Sequence, residues 1–542
     1  MLGRGLSLFT LASLLHASSS FVLPRQSIRP IYAGAAAARA YRRSSTSVMS
    51  TMAPASAENY ADPSTGEAAG TRVLEPQGTH HPWYSLQPLK DGGEWASTPA
   101  QYMKRMSEES GGAPIFKMHP GLKSVAITDH TSGKWFFSQP ETVLDRQDGP
   151  YFGSLKCKKE FIGDSLPALT TNKKEFHSDV RNYMMTIIQD RARSVPSAFE
   201  HATENFYTNL RANGLGDYPV VYDTMLQHTY AFMLEFMFGT GEEGGQPLPP
   251  FEDFRNVNSI DVDLLIKLEI DTPIANLAAQ LAQGPGITAE QKASSDVILD
   301  SIRSSKMWPK FDKIAQEQQV PRKDLERALM FNSGFQSSVA IAKTMENAIG
   351  ALSANRELLK QLQKEIDGKD LTFRSVCDEE QFPLLDGLHW EIVRMFPAPR
   401  FFVKEAKTDL LVPTNSGDKY QVRKGDMLCC NQDLIQIDPT VFGPDAREFR
   451  PQRFIENPEL KKEVYKFGYV DSTVKPVPTE GKPWGCVAHA TGVLDGILKM
   501  FYARWIQEMD WEMTTPTVVD PDQFLGQVGP KAMAFAKVTP RK

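Results

Sequence analysis

The feature that most constrains the fold is a cysteine near the C-terminal end, together with two charged motifs upstream of it. Cys486 lies in the run 482–490 (KPWGCVAHA), a Gly- and Pro-containing stretch that leads into an amphipathic helical pattern. A thiol in this setting is a candidate metal ligand, because the thiolate is the ligating form and a helix N-terminus favours it. Glu391 and Arg394 lie three apart, so on a helix they meet on one face. The run 449–454 (FRPQRF) lies between this pair and Cys486. The order and spacing of the three motifs decide which chemistry to consider.

In this order the three motifs resemble the haem-thiolate signature of cytochromes P450. The resemblance implies a mainly α-helical fold with minor β structure in a single large domain. It also implies that the Cys486 thiolate is the axial ligand of haem b. Glu391, Arg394 and Arg453 would form a buried structural triad that fixes the chain presenting the cysteine, a network costly to break. As an isolated pair, Glu391 and Arg394 would be a surface ion pair of little energetic value.

Departures from the usual cysteine pattern resemble one branch of that superfamily. Thr479, Lys482 and Ala488 stand where the ordinary pattern has other residues, and the run 471–478 (DSTVKPVP) fits an insertion. These features resemble an algal type of the enzymes that metabolise fatty acid hydroperoxides. That branch contains allene oxide synthases, hydroperoxide lyases, divinyl ether synthases and epoxyalcohol synthases. The resemblance places Lys482 among the residues that bind the cofactor. It is firm over roughly 320–510 and diffuse before it.

The helix around residues 331–338 (FNSGFQSS) bears on the mechanism. Oxygen-activating members of the superfamily carry an acid and then Thr there, whereas this chain has Gln336 and Ser337. A Gln side chain cannot cycle a proton as a carboxyl group does. The hydroperoxide branch has an Asn at the position of Asn332, where a neutral amide could hold a peroxide oxygen. A capping or helix-face Asn is the alternative.

Five further residues are assigned by the same resemblance. Tyr151 or Phe152 would be the aromatic near the distal haem face, and a plain core aromatic is the alternative. His177 and Arg181, four apart on a helical pattern, would contact the haem propionates, and a solvated helix face is the alternative. Phe335 would be a bulky side chain near the reacting substrate. The resemblance thus gives both faces of the haem a set of candidate residues.

The predicted function is rearrangement of C18 or C20 polyunsaturated fatty acid hydroperoxides by homolytic O–O cleavage, without O2, NADPH or a reductase. Phe335 and the presequence favour an epoxyalcohol synthase over the allene oxide synthase and hydroperoxide lyase alternatives. A reductase-dependent monooxygenase, in which Ser337 and water deliver protons, is the rival from another class. A haem-binding or lipid-carrier protein without turnover is a third reading. The acidic body of the chain argues against a nucleic-acid partner.

The N-terminal region has the composition of a targeting sequence. Residues 1–57 contain six arginines and no acidic residue, and the apolar run 6–15 is too short to span a membrane. The pattern resembles a bipartite plastid presequence, and a secretory signal followed by a disordered tail is the alternative. Residues 58–98 are predicted to be an extended lead-in and 99–542 the haem-thiolate domain. We therefore expect no transmembrane anchor, and a protein that is soluble or peripherally attached to a membrane.

Hydrophobic periodicity predicts a mainly helical body with short strands and turns after Arg394. Helical patterns occupy 172–240, 322–368 and 492–511, and strand-like runs occupy 124–128 and 135–137. The five cysteines show no spacing typical of a disulfide framework or a zinc site. Cys429 and Cys430 are adjacent in an apolar run and are predicted to be buried small hydrophobic residues.

Overall fold

The computed structural model describes residues 72–78, 99–118, 124–140, 142–145, 184–214, 220–239, 249–258, 289–317, 319–330, 337–397, 401–466, 493–514 and 533–541. The chain divides into two units, Met1–Arg72 and Val73–Lys542, and every element named below belongs to the second.

Helices make up most of the described chain. In chain order they are α1 Pro99–Glu109, α2 His130–Ser138, α3 Val195–Asn213, α4 Val221–Phe238, α5 Phe251–Asn258, α6 Ala289–Ser304, α7 Trp308–Glu317, α8 Arg322–Leu329, α9 Ser337–Ala354, α10 Arg356–Ile366, α11 Pro383–Met395, α12 Gln432–Ile435, α13 Pro439–Phe442, α14 Arg453–Glu456 and α15 Leu494–Glu508. None of the helices in these described ranges is long and apolar enough to cross a membrane.

The strands form three small sheets. They are β1 Val73–Leu74, β2 Ile115–Lys117, β3 Ser124–Ile127, β4 Leu144–Asp145, β5 Phe401–Ala406, β6 Leu410–Pro413, β7 Lys419–Val422, β8 Met427–Asn431, β9 Met509–Met513 and β10 Phe535–Pro540. The largest sheet has the order β2-β3-β8-β5-β4, and the others are β1-β7-β6 and β10-β9. In the largest sheet β3 pairs with β8 in parallel, Ser124 opposite Met427, and the remaining pairs are antiparallel.

The apolar pattern explains where these elements lie. All five residues of β8 are buried, and its apolar run Met427–Cys430 lies at the centre of the largest sheet. Cys429 and Cys430 are within it at 1% and 0% exposure, which confirms their prediction as core residues. Helix α4 is buried on nearly every side and packs against α3 and α9. Helix α15 packs against α9, α10 and α11 and so joins the helical core to the candidate site.

The prediction of a strand at 135–137 was wrong, because these residues lie in α2. The carboxylate of Asp129 accepts the backbone N–H of Ser132 (2.7 Å) and caps the start of that helix. A short aromatic run fits a buried strand or a buried helix equally well, so the cap decided the outcome. The strand prediction at 124–128 is confirmed by β3, and the helical prediction at 492–511 by α15.

Candidate functional site

Helix α11 presents a carboxylate and a guanidinium to the protein interior. Pro383 is its first residue, and the free N–H groups of Leu384 and Leu385 donate to the Glu365 carboxylate (2.7 and 2.9 Å). Glu391 and Arg394 lie one turn apart and are both 0% exposed. The Arg394 Nε and Nη2 atoms donate to the two Glu391 oxygens, each at 2.8 Å. This bidentate pair is fully removed from water.

A second guanidinium joins the same carboxylate from another part of the chain. Arg453 begins α14, is 2% exposed, and its Nε lies 3.3 Å from Glu391 Oε1. The backbone N–H of Arg450 also donates to that oxygen (2.7 Å). Asp445 balances the second positive charge, with its Oδ1 3.1 Å from Arg453 Nη1. Although burial raises the pKa of Asp445, its hydrogen bonds with Arg453 and Arg450 outweigh that effect and lower it.

The two guanidiniums also hold an irregular stretch of backbone against α11. Arg394 Nη1 donates to the carbonyls of Gln436 (2.8 Å) and Ala446 (2.7 Å). Arg453 donates to the carbonyls of Phe442 (2.9 Å) and Asp445 (2.8 Å). Backbone carbonyls without strand or helix partners are costly to bury, so these bonds stabilise the 436–453 stretch in one conformation. The structure thus brings together the three residues predicted to act as a triad.

Helix α11 and the 449–454 run are in very close contact at Gly387. A Cβ atom at that position would lie 2.6 Å from the carbonyl oxygen of Pro451 and 3.2 Å from its carbonyl carbon. Only a residue without a side chain allows this approach. The glycine therefore sets the distance between α11 and the chain that carries Arg453.

A second buried polar network lies between α11 and α15. Asp386 on α11 pairs with Lys499 on α15 and with Lys461, whose Nζ is 2.7 Å away. His389 Nε2 lies 3.2 Å from Asp495 Oδ1, and Lys466 Nζ lies 2.9 Å from Asp495 Oδ2. The sequence reasoning missed this network, because its lysines show no pattern that separates them from surface lysines. Its members are Asp386, His389, Lys461, Lys466, Asp495 and Lys499.

Cys429 and Cys430 are unsuited to bind iron as thiolates, because both are buried in β8. Burial raises the pKa of the Cys429 thiol to about 12 and raises that of Cys430 well above its ordinary value. Cys377 is exposed, and its Sγ lies 3.3 Å from the Cβ position of Gly496 in α15. The described ranges hold no group of three or more His, Cys, Asp or Glu suited to a metal ion.

Most of the predicted site residues lie outside the described residues. They are Tyr151, Phe152, His177, Arg181, Asn332, Phe335, Lys482 and Cys486. Their assigned roles stay predictions. The described residues on either side are Met330 and Ser337 around the Asn332 position, and Lys466 and Val493 around the cysteine.

Comparison with known proteins identifies the family. A family model for cytochrome P450 matches residues 289–470. An epoxyalcohol synthase of Ectocarpus siliculosus is 56% identical over 472 residues, which are 87% of this chain and 99% of that protein. The chain belongs to the cytochrome P450 family. This confirms the predicted family and the mainly helical P450 fold, and a P450 binds a haem iron through a thiolate.

Two further relatives of this P450 are named for hydroperoxide chemistry. A mitochondrial hydroperoxide bicyclase of Ectocarpus siliculosus is 54% identical over 88% of this chain and 92% of that protein. A mitochondrial hydroperoxide bicyclase of Plasmodiophora brassicae is 30% identical over 84% and 81%. The predicted resemblance to the hydroperoxide branch of the P450 superfamily is confirmed by these relatives.

The predicted plastid location of this P450 was wrong. Both bicyclase relatives are named as mitochondrial, which points away from the plastid. The error has a physical source, since mitochondrial and chloroplast transit peptides share an Arg-rich, Ser-rich and acid-poor composition. The arginines of residues 1–57 therefore could not distinguish the two organelles.

Proposed function

We propose that this P450 rearranges polyunsaturated fatty acid hydroperoxides and acts as an epoxyalcohol synthase. The observation that carries the proposal is 56% identity to a relative of that name over 99% of the relative's length. The 54% identical bicyclase supports a second candidate, the cyclisation of the same substrate class. Allene oxide synthase and hydroperoxide lyase activities are further outcomes on these substrates. The two leading candidates share the substrate class and differ in product.

The cofactor of the proposed reaction is haem b, with Cys486 as its axial ligand. When bound, the haem supplies an iron whose thiolate donation favours O–O cleavage. We assign His177, Arg181 and Lys482 to binding the haem. The arrangement of Glu391, Arg394 and Arg453 supports this assignment, because it holds the 436–453 backbone in place before the chain continues toward the cysteine.

The distal residues position the substrate in this proposal. Asn332 donates from its amide and accepts at its carbonyl, so it can hold a hydroperoxide oxygen without exchanging a proton. Tyr151 or Phe152 and the bulky Phe335 confine the reacting carbon chain. Gln336 stands where an acid would be needed for proton delivery to dioxygen, so we expect no requirement for O2, NADPH or a reductase. A monooxygenase using Ser337 is the rival.

The proposed organisation of the chain assigns a presequence to residues 1–57 and an extended lead-in to 58–98. The haem-thiolate domain then comprises 99–542, soluble or in peripheral contact with a membrane. Because the family model begins at residue 289, the N-terminal boundary of the domain is part of the proposal.

The test of function is incubation of the purified full chain, loaded with haem, with linoleate 13-hydroperoxide and no NADPH. We expect the conjugated-diene absorbance to fall and chromatography to show an epoxyalcohol. A bicyclic product would support the second candidate instead. If no C18 or C20 hydroperoxide is consumed without NADPH, the proposal is overturned.

Replacement of Asn332 by Ala tests the role of the distal amide. We expect turnover to fall by a factor of about 10² or more while haem content changes little, because the variant loses the group that orients the peroxide. Asn347, a buried Asn in α9, offers a matched control. Asn347→Ala should lower stability without a selective loss of turnover. Equal losses of turnover and haem in Asn332→Ala would indicate a structural role for Asn332.

A further inference from the structure

Residues 73–78 connect two of the sheets. The first two of them are strand β1, which pairs in parallel with β7 so that Leu74 lies opposite Tyr420. Gln77 then forms a bridge to β2, at the edge of the largest sheet. The Gln77 carbonyl also accepts the backbone N–H of Lys117 (2.8 Å). Backbone bonds therefore attach the segment to the folded unit near both of its ends.

The side chains of this segment alternate between the interior and solvent. Pro76 is buried, and Leu74 is half-buried and packs against the core cluster that contains Val412. Val73, on the opposite face of β1, is 58% exposed. A period of two is typical of a strand with one face on a core. Two inward side chains thus add apolar contacts to the backbone bonds.

Gly78 allows the end of the segment to lie close to β2. Its φ of +91° is in the region that favours glycine, and a Cβ atom there would lie 3.2 Å from the carbonyl oxygen of Lys117. The ion pair between Glu75 and Arg423 (2.8 Å) adds little, because both side chains are more than half exposed. The attachment of the segment therefore depends on its backbone and its two inward side chains.

Loss of residues 73–78 would open one of the sheets. In the order β1-β7-β6, strand β1 covers one edge of β7, so without it β7 would present unpaired backbone groups that favour pairing with another chain. A protease binds its substrate chain extended and unpaired, so cleavage inside a paired strand requires local unfolding first. The division of the chain into two units falls between Arg72 and Val73, directly before this strand.

We propose that residues 73–78 are an N-terminal clamp of the P450 domain and that proteolytic removal of the presequence stops at or before Arg72. Water hydrolyses one peptide bond in that step, which releases the upstream segment with a new carboxylate and leaves a new amino terminus. The existence of the step rests on the proposed presequence, residues 1–57, whereas its downstream limit rests on the contacts of the clamp. The processed protein therefore keeps β1.

A lead-in that is removed together with the presequence is the alternative, and two neighbouring residues of the clamp give matched variants. Leu74→Ser removes an apolar side chain that packs against the core, so it should raise the fraction of chains with an open clamp. Val73→Ser makes a similar change on the exposed face of the same strand and should leave the clamp closed. Leu74→Ala is the milder variant if Leu74→Ser does not fold.

The test is limited proteolysis of the purified, haem-loaded full chain with proteinase K, with the cleaved bonds identified by mass spectrometry. We expect bonds within the clamp to resist cleavage as long as those within β8, the central strand of the largest sheet. Leu74→Ser should raise the rate of cleavage within the clamp by about 10-fold, because cleavage follows the population of the open form. Val73→Ser should match wild type. Hydrogen exchange of the Lys117 N–H should be faster in Leu74→Ser alone.

The amino terminus of the protein isolated from its native cells separates the clamp from the presequence assignment. A processed terminus at or before Val73 supports the proposal. A terminus downstream of Val73 overturns it, and so does cleavage within the clamp well before β8 at equal rates in Leu74→Ser and Val73→Ser. If the native chain begins at Met1 while the clamp resists cleavage, the presequence assignment fails and the clamp stands.

Discussion

The carboxylate of Glu391 is the shared partner of two guanidinium groups, those of Arg394 and Arg453. It accepts from Arg394 at both oxygens and from Arg453 and the backbone N–H of Arg450 at one of them. Glu391→Gln would leave excess buried positive charge and turn an amide N–H₂ toward guanidinium donors. We expect a loss of about 3–5 kcal/mol in the free energy of unfolding, measured by urea denaturation of the full chain.

The control for Glu391→Gln is an ion pair on the surface of the same molecule. Lys292 and Asp296 lie four apart on α6 with their charged atoms 2.7 Å apart, and their side chains are 71% and 56% exposed. Asp296→Asn should change the free energy of unfolding by less than about 0.5 kcal/mol. Similar losses in the two variants would show that burial of the Glu391 network adds nothing to its stability.

At the residue scale, the sequence could identify Glu391 and Arg394 because their spacing already places them on one helical face. It could not identify Lys466 or Lys499, whose partners lie 29 and 113 residues away. A lysine is ordinarily exposed, so burial of its charge depends on a carboxylate that only the folded chain brings near. Long-range pairing of this kind leaves no local pattern.

At the scale of the element, the packing of α11 against the 449–454 run depends on Gly387. Glycine inside a helix costs up to about 1 kcal/mol relative to alanine, so propensity alone predicts that Gly387→Ala is stabilising. The Cβ position 2.6 Å from the Pro451 carbonyl oxygen predicts the reverse. We expect Gly387→Ala to destabilise the chain by roughly 1–3 kcal/mol, because backbone on both sides must shift. The thermal unfolding midpoint measures this.

Gly496 in α15 is the matched glycine for this prediction. A Cβ there would meet the Sγ atom of Cys377 at 3.3 Å, which is a tight contact with a side chain that can rotate. Gly496→Ala should therefore have a much smaller effect than Gly387→Ala. An increase in the unfolding midpoint for Gly387→Ala would contradict the role of close backbone contact.

Helices and strands could be predicted where the hydrophobic pattern extends over many residues, and could not where it covers only a few. Helix α15 has an amphipathic pattern over many residues, and its prediction was correct. The run 135–137 has three apolar residues, and its helical state follows from the Asp129 cap. Within the predicted helical stretch 322–368 the described residues form α8, α9 and α10, and Asn355 caps the last of these through the Leu358 N–H (3.1 Å).

At the scale of the whole molecule, the family could be predicted because its signature consists of several motifs in a fixed order. The organelle could not be predicted, because composition alone carried that inference. The reaction product could be predicted less firmly than the family, because relatives that are 56% and 54% identical are named for different reactions. Motifs that preserve the haem site therefore determine the substrate class more strongly than the fate of the substrate.

The stability of the whole molecule should also depend on pH through a buried histidine. His228 stacks on Phe206 with ring centroids 4.3 Å apart, and burial lowers its pKa to about 3. Its contribution to stability is complete above the unfolded value near 6.5 and is lost as the pH falls toward 3, by on the order of 5 kcal/mol. His228→Gln should flatten the fall in unfolding midpoint between pH 6.5 and 4.

Glu346 should give the opposite dependence on pH. It is buried in α9 with its Oε2 3.3 Å from Lys343 Nζ, and burial raises its pKa to about 7 from an ordinary 4.5. Because the folded state favours the protonated carboxyl, its contribution is complete below pH 4.5 and is lost as the pH rises through 7. Glu346→Gln removes this titration while it keeps the size of the side chain.

The variant should therefore gain stability relative to wild type as the pH rises from 5 to 8, by up to about 3 kcal/mol. Unfolding midpoints of both chains at the two pH values measure the difference, and other titrating groups cancel in the comparison. His228→Gln should show no such gain over the same range, since its own titration acts with the opposite sign and only below about pH 6.5. A constant difference between wild type and Glu346→Gln would mean that Lys343 keeps the carboxylate charged in the folded chain throughout this range.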